Sequence, residues 1–262
     1  MKKIIYIVTL MFACIACEVI PADQQMIPVE MGETNRTTLI VEFSGLKCNN
    51  CPLAAEEAHN LLDIYGNKLV VVEMHPASNS LTNGGKKWDY TCPAADEYYK
   101  HWNITSLPYG VVNMSQPEAY QSWGAAYQKS AKMISPVELQ PNIQIDSTNT
   151  LNIDIQICNI SNDLLQLQYI AWITEDSIIG GQLMPDGKTQ RADYPHNHVL
   201  RDALTDLWGT PIEVAAKEAT TISLTYTLAE KLVARNCNIV SVVMKDNEAI
   251  QVNEYKLKNI IK

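Results

Sequence analysis

Two cysteines separated by two residues, Cys48 and Cys51, lie where an apolar run ends and a helical pattern begins. The run before them, 38–43, is rich in β-branched residues, and the residues after them, 52–62, repeat apolar side chains at helical spacing. A second apolar strand is predicted over 68–75, after a glycine. This order of strand, helix and strand predicts a parallel βαβ unit with the cysteine pair at the start of its helix.

A cysteine at the start of a helix is a candidate nucleophile. Unpaired backbone N–H groups and the positive end of the helix dipole stabilise the thiolate there. Lys47 adds a positive charge beside Cys48. We therefore assign Cys48 as the candidate nucleophile and Cys51, one helical turn later, as the thiol that would resolve a mixed disulfide.

The βαβ unit and its cysteine pair resemble the thioredoxin family. Glu42 precedes Cys48 by six residues, where that family keeps a buried carboxylate that moves protons for the resolving cysteine. Leu107-Pro108 precedes a further apolar run, as does the cis-proline that family members place against the cysteine pair. The resemblance implies that Glu42 carries protons and that Pro108 positions a partner chain.

Two features depart from the thioredoxin pattern. The aromatic residue that usually precedes the first cysteine is absent. After Val112 the chain passes almost directly to a helical segment over 118–132, where a thioredoxin has another strand. We therefore expect a shortened or rebuilt edge in this domain.

The N-terminus predicts export and lipidation. A short basic start followed by an apolar segment over 4–16, too short to span a bilayer, is typical of a secretory signal peptide, which we assign to 1–16. A small residue precedes Cys17, as in bacterial lipoproteins, although Cys14 also follows an alanine. We assign lipidation to Cys17 because a polar tether, 17–35, begins there; ordinary cleavage without lipidation is the alternative.

Composition excludes several classes of function. The chain has 29 acidic residues against 20 basic ones and no basic patch, which argues against a nucleic-acid partner. It has no phosphate-cradling glycine loop and no Ser/His/Asp motif, so we expect no cofactor. The expected partner is the membrane itself, through the lipid anchor.

The second half of the chain has a different pattern. Residues 151–157 alternate apolar and polar side chains, as in a half-buried antiparallel strand. Similar strands are predicted over 165–174, 220–228, 238–244 and 249–257. The predicted fold class is therefore α/β plus all-β, with a thioredoxin-like domain over 36–134 and an immunoglobulin-like β-sandwich over 135–262.

Two segments interrupt these patterns. Residues 76–106 form an insertion, with a loop-like first part and a helix predicted over 92–102. The insertion either shapes access to the cysteine pair or only packs on the sheet. Residues 194–204 are predicted to be a loop and a short helix between strands of the sandwich.

The whole chain resembles one family. The segments FSGLKCNNCP, at 43–52, and HNHVLR, at 196–201, occur together with a lipoprotein signal. In this combination they resemble the Omp28-related outer membrane lipoproteins of Gram-negative bacteria. The resemblance implies a lipid-anchored protein of the cell outer membrane, facing the periplasm or the cell surface, with a role in adhesion.

Histidines and the remaining cysteines are weaker candidates. His196 and His198 are possible metal ligands, but no third ligand follows at a suitable spacing, so we interpret them as residues that order a loop and expect no metal. Cys158 shares the phase of the polar residues on its strand, which argues against a bridge to Cys237. We expect Cys92 to be a free thiol.

Two hypotheses of function remain open. In the first, the protein is a non-catalytic binding, adhesion or assembly protein, and Cys48–Cys51 is a fixed disulfide. In the second, it is a thiol–disulfide oxidoreductase of the cell envelope that uses Cys48, Cys51, Glu42 and Pro108.

Overall fold

The computed structural model describes residues 36–82, 84–85 and 87–261. The predicted signal peptide, the tether and the lipidation site Cys17 lie outside the described residues. The part of the chain that the structure describes is a mixed α/β fold made mostly of strands.

The first half contains the predicted parallel unit. Its elements are β1 (Thr38–Phe43), α1 (Cys51–Tyr65), β2 (Leu69–Met74), α2 (Pro93–His101), β3 (Tyr109–Val112), β4 (Pro117–Glu118) and α3 (Trp123–Ser130). Strands β1 and β2 pair in parallel along their whole length, and β3 runs antiparallel to β1. Helix α1 begins at Cys51 with a proline in its first turn, and Gly66, at a φ of +54°, follows its end.

The second half consists of strands. They are β5 (Val137–Ile145), β6 (Thr150–Asn159), β7 (Leu165–Glu175), β8 (Ile178–Leu183), β9 (Gln190–His196), β10 (Val199–Ala203), β11 (Thr210–Val214), β12 (Ala219–Thr227), β13 (Cys237–Lys245) and β14 (Glu248–Lys256). Five predicted strands are confirmed, and each of their ends lies within two residues of its predicted position: 151–157, 165–174, 220–228, 238–244 and 249–257. Strands β8 and β9 form a two-stranded hairpin of their own, called the β8–β9 hairpin below.

One sheet runs through both halves. Its order is β14-β13-β7-β10-β2-β1-β3-β4, with β11 also paired to β7. The seam between the halves is the parallel pairing of β10 with β2, where Val199 lies opposite Glu73. The sheet thus crosses the boundary predicted between 134 and 135, and that boundary stays a prediction.

Two apolar cores lie on opposite faces of this sheet. Residues such as Phe43, Trp172 and Val242 pack with α2 on one face. Residues such as Tyr169 and Ile239 pack on the other face against a three-stranded sheet, β5-β6-β12. Alternation along 151–157 of β6 supplies this second core, because the leucine and isoleucines there are buried and the polar residues between them are not.

Two predictions of local structure need correction. Residues 194–204 do not form a loop and a short helix: they form the end of β9, a turn at Asn197 and His198, and β10. His198 has a φ of +59°, which ends one strand and turns the chain into the next. The segment after Val112 is not directly helical, since the short strand β4 pairs with β3 before α3 begins. The helix predicted over 92–102 is confirmed as α2.

Candidate functional site

The cysteine pair lies at the start of α1 as a disulfide. Cys48 and Cys51 are bonded, with their Cα atoms 5.4 Å apart. Cys51 is the first residue of α1, and Cys48 lies in the turn before it. The two residues are only 3% and 2% exposed. The pair is therefore closed and covered in this structure.

The cover over the disulfide comes from the second half of the chain. Gln182, on the β8–β9 hairpin, donates its side-chain Nε2–H to the carbonyl oxygen of Cys48 at 2.9 Å. The backbone N–H of Leu183 donates to the carbonyl oxygen of Leu46 at 2.8 Å. These bonds hold the hairpin against the loop that carries the cysteines.

The insertion over 76–106 also packs against the hairpin. A Cβ atom on Gly180 would lie 1.8 Å from the hydroxyl oxygen of Tyr90, and one on Gly181 would lie 2.5 Å from the ring of Trp88. Two adjacent glycines are therefore what allows the hairpin and the insertion to approach so closely.

Pro108 also lies near the cysteine loop. The Leu107–Pro108 peptide bond is cis. A Cβ atom on Gly45, three residues before Cys48, would lie 3.1 Å from Cδ1 of Leu107. The structure thus brings the neighbourhood of Pro108 to the loop that leads into the disulfide, and the catalytic role assigned to this proline stays a prediction.

Two carboxyl groups lie side by side on the sheet beneath α1. Glu42 on β1 and Glu73 on β2 are opposite each other in the parallel pairing and are 2% and 7% exposed. Burial, and then the charge of Glu73, raises the pKa of Glu42 well above its ordinary value. Burial would also raise the pKa of Glu73, but the imidazoles of His75 and His196 outweigh it and lower that pKa. Of the two carboxyl groups, Glu42 therefore keeps its proton to a higher pH than Glu73 does.

Two buried histidines surround Glu73. Nε2 of His75 lies 3.0 Å from Oε1 of Glu73, and Nδ1 of His196 lies 4.0 Å from the same oxygen. Both histidines are 1% exposed, and their rings meet edge to face with centroids 5.8 Å apart. Burial lowers the pKa of His196 to about 4, which leaves its ring neutral.

His198 belongs to a different group. Its Nδ1 lies 3.5 Å from Oδ1 of Asp176 and 3.8 Å from Oε1 of Glu254. Burial alone would lower the pKa of His198, but these two carboxylates outweigh it and raise that pKa. The structure therefore separates the two histidines that the sequence pairs. It places His196 with Glu73 and His75 instead.

A cleft of about 410 Å³ leads to the two carboxyl groups. One wall is α1, from Pro52 to Leu62, and the opposite wall contains Tyr194 and Pro195 of the β8–β9 hairpin. Glu42 and Glu73 lie in its lining. The cleft therefore joins solvent to the buried polar groups on this face of the sheet.

The other described cysteines are free. Cys92 and Cys237 are buried, and burial raises their pKa values to about 11 and about 12. Cys158 is half-buried on the outer side of β6, whereas Cys237 lies in the core of the sandwich. The expectation of a free Cys92 and of no bridge between the other two is confirmed.

Comparisons with known proteins found one matching family model and several similar solved structures. The family model described as Outer membrane protein Omp28 matches residues 95–260. HBP35 of Porphyromonas gingivalis has a TM-score of 0.67 at 17% identity, over 87% of this chain and 77% of that one. A crystal structure of an Agrobacterium tumefaciens protein has a TM-score of 0.53 at 13% identity, over 86% and 96%. At these identities the two structures show likeness of fold alone.

No curated protein matches the sequence of the chain significantly. Among the helices within the described ranges, none has both the length and the apolar character needed to cross a bilayer.

Proposed function

This chain belongs to the outer membrane protein Omp28 family, and we propose that it is a lipid-anchored envelope protein with a non-catalytic binding, adhesion or assembly role. In this proposal Cys48–Cys51 is a fixed disulfide. Acyl chains on Cys17 hold the protein at the outer membrane, on its periplasmic or its outer side.

The burial of the disulfide is the observation that carries this proposal. A catalytic pair must present one sulfur to a partner, since exchange proceeds by in-line attack of a thiolate on that sulfur. Here Cys48 is 3% exposed, and the side chain of Gln182 is bonded to its backbone carbonyl. A buried disulfide of this kind ties the cysteine loop to the first residue of α1, and it is suited to stabilising the segment on which the hairpin rests.

The finer fold is part of the same proposal. We assign the first half to the thioredoxin-like class, supported by the parallel β1-α1-β2 unit with a cysteine pair at the start of its helix. We assign the second half to the immunoglobulin-like class, supported by two sheets packed face to face across one apolar core. The shared nine-stranded sheet makes the two halves a single scaffold.

Reduction of the native protein tests the fixed disulfide. The protein is incubated with tris(carboxyethyl)phosphine, with and without urea, and newly formed thiols are counted by alkylation and mass spectrometry. We expect Cys48–Cys51 to be reduced at least about tenfold more slowly in the native protein, because the hairpin must open first. Equal rates in both conditions would contradict the proposal.

A thiol–disulfide oxidoreductase is the second candidate. It is favoured by the position of the disulfide, at a helix start with the Leu107–Pro108 peptide beside its loop and Glu42 on the sheet beneath the helix. The test is a Cys51→Ser variant, in which the alkylation rate of Cys48 is measured against pH. A reactive, low-pKa thiol in the folded variant would favour the enzyme; a slow rate that rises only on unfolding would favour the fixed disulfide.

The lipid anchor is tested separately. Cells that express the full chain are labelled with a fatty-acid analogue, and we expect Cys17→Ser to abolish the label. Cys14→Ser is the matched control and should keep it. Label retained in Cys17→Ser but lost in Cys14→Ser would move the anchor to Cys14, and an unlabelled wild-type protein would contradict lipidation.

A further inference from the structure

The group formed by Glu73, His75 and His196 has a composition and an arrangement that the proposed function does not use. One carboxylate oxygen and two imidazole nitrogens, one from each residue, lie within 4.8 Å of one another, and all three residues are buried. Two of the residues come from the end of β2 and its continuation, and the third comes from the end of β9. The group therefore spans the contact between the sheet and the β8–β9 hairpin.

The ring nitrogens of this group lack hydrogen-bond partners. Neither nitrogen of His75 nor of His196 is in hydrogen-bonding geometry with any described group, although all four are buried. The 3.0 Å approach of Nε2 of His75 to Oε1 of Glu73 is close but poorly aligned, and the carbonyl of Gly181 is near His196 without meeting that geometry either. Buried polar atoms normally find partners, so a missing partner needs an explanation.

The spacing of the donor atoms fits a metal ion. Four-coordinate zinc binds imidazole nitrogens and carboxylate oxygens at about 2.0 Å, which sets neighbouring donors about 3.3 Å apart. The two pairs that include Oε1 of Glu73, at 3.0 Å and 4.0 Å, lie on either side of that distance, and the two imidazole nitrogens are within 4.8 Å of each other. Side-chain adjustments of less than about an ångström would bring both lone pairs and the carboxylate onto one point.

We propose that Glu73, His75 and His196 bind one divalent transition-metal ion of the zinc class, which joins β2 to the β8–β9 hairpin. Two imidazoles and one carboxylate are a ligand set that zinc accepts, and three protein ligands leave a fourth position for water or a ligand. The Glu73 carboxylate faces the cleft, which supplies an entry path. The hydroxyl of Ser44 interacts with the same carboxylate and orients it from behind, as outer-shell groups do at metal sites.

Stoichiometric metal binding tests the proposal on the full-length protein. The protein is treated with EDTA, exchanged into metal-free buffer and titrated with ZnCl₂ by calorimetry, and bound zinc is then measured by elemental analysis. We expect one zinc per chain. We expect His75→Ala and Glu73→Gln to weaken binding by at least about 100-fold, because loss of a ligand exceeds the loss seen for outer-shell partners.

The matched control is His101→Ala, which removes an exposed histidine on α2 and should bind zinc as the wild type does. A second readout covers variants that fold poorly. Zinc should raise the Tm of the wild type and of His101→Ala, but not of Glu73→Gln, which keeps the shape of the side chain. A wild type that binds no stoichiometric zinc, or a Glu73→Gln variant that binds like the wild type, would overturn the proposal.

Discussion

Both faces of the paired strands β1 and β2 are buried, but only one of them carries ionisable groups, at the end of the strands. The apolar face packs against α2 and consists of Leu39, Val41, Phe43, Val70, Val72 and Met74. The polar face lies toward α1 and the β8–β9 hairpin, and its buried groups at the end of the strands include Glu42, Glu73 and His75. Both faces belong to the same twelve paired residues and the residue that follows them.

This difference separates what folds the sheet from what uses it. Burial of the apolar face stabilises the fold in proportion to the area removed from water. Burial of carboxyl groups and imidazoles opposes folding unless partners compensate for lost hydration. The stability of the fold therefore does not explain why these ionisable groups are buried on the polar face. A functional role for them does.

The largest expected effect is on the apolar face. Phe43 is 0% exposed, and its ring lies 5.7 Å from that of Tyr99 and 6.0 Å from that of Trp102. Phe43→Ala should lower the free energy of unfolding by about 3–5 kcal/mol, because it leaves a cavity. Urea unfolding of the full chain measures it. Phe43→Leu, the control, should lose about 1.5 kcal/mol or less. A loss below about 1 kcal/mol for Phe43→Ala would show that this face is loosely packed.

On the polar face, the next effect depends on pH. Burial, and then the charge of Glu73, raises the pKa of Glu42 above its ordinary value of 4.5, so the folded state holds this proton more tightly than the unfolded state. The resulting stabilisation is complete below pH 4.5 and is lost as the pH rises through the folded-state pKa. Glu42→Gln cannot ionise, so above pH 4.5 it should gain on the wild type by up to about 1.4 kcal/mol per pH unit.

Urea unfolding of the wild type and of Glu42→Gln between pH 4 and pH 8 measures this difference. Glu56→Gln, an exposed residue on α1, is the control and should follow the wild-type curve. Parallel curves for wild type and Glu42→Gln would show that the carboxyl group is hydrated.

A smaller effect is expected where the hairpin closes over the polar face. Gly180→Ala would place a methyl group 1.8 Å from the hydroxyl oxygen of Tyr90, so either the hairpin or the Tyr90 side chain must shift. We expect a loss of about 1–3 kcal/mol and faster reduction of Cys48–Cys51 by a phosphine. Gly124→Ala on α3 is the control, since its nearest neighbour would be 3.6 Å away. An unchanged reduction rate in Gly180→Ala would mean that the hairpin does not control access.

The smallest effect is expected for an exposed pair of side chains on α1. Nε2 of His59 lies 3.5 Å from Oδ2 of Asp63, and the two side chains are 73% and 70% exposed. His59→Ala should change the free energy of unfolding by less than about 0.5 kcal/mol, because water screens the pair. A larger change, measured by urea unfolding, would mean that charge matters on this side of the molecule even without burial.

Sequence alone predicts the elements with strong local signals. Helix α1 has a proline in its first turn and a glycine after its end, and α2 has a proline at its start. Residues 151–157 of strand β6 alternate strictly between leucine or isoleucine and polar residues. Each of these signals acts within a few residues, so no knowledge of the tertiary fold is needed to interpret it.

Elements held by distant partners are not predicted. Residues Val199 and Leu200 are followed by Ala203 and Leu204 at helical spacing, yet they form β10 because β7 and β2 offer backbone partners on both sides. The hairpin contains adjacent glycines and a proline, which weaken any strand signal. In these segments, backbone pairing with distant strands outweighs the local pattern of apolar residues.

The same reason explains what was missed at the candidate site. Glu73 and His75 alternate along one strand, so a shared face was open to inference from the sequence. Their third partner, His196, reaches them only through the pairing of β9 with β8, and its neighbour His198 is turned toward Asp176. The closeness of His196 and His198 in the sequence therefore suggested the wrong pair of histidines.

The single pairing of Val199 with Glu73 has a consequence for how the chain is made. During synthesis the first half emerges before β10, so the edge of β2 that β10 meets at Glu73 stays uncovered until the second half follows. Such an exposed strand edge is a template for a strand from another molecule. A fragment that stops before β10 should therefore self-associate, and nascent chains would need a holding chaperone until the second half arrives.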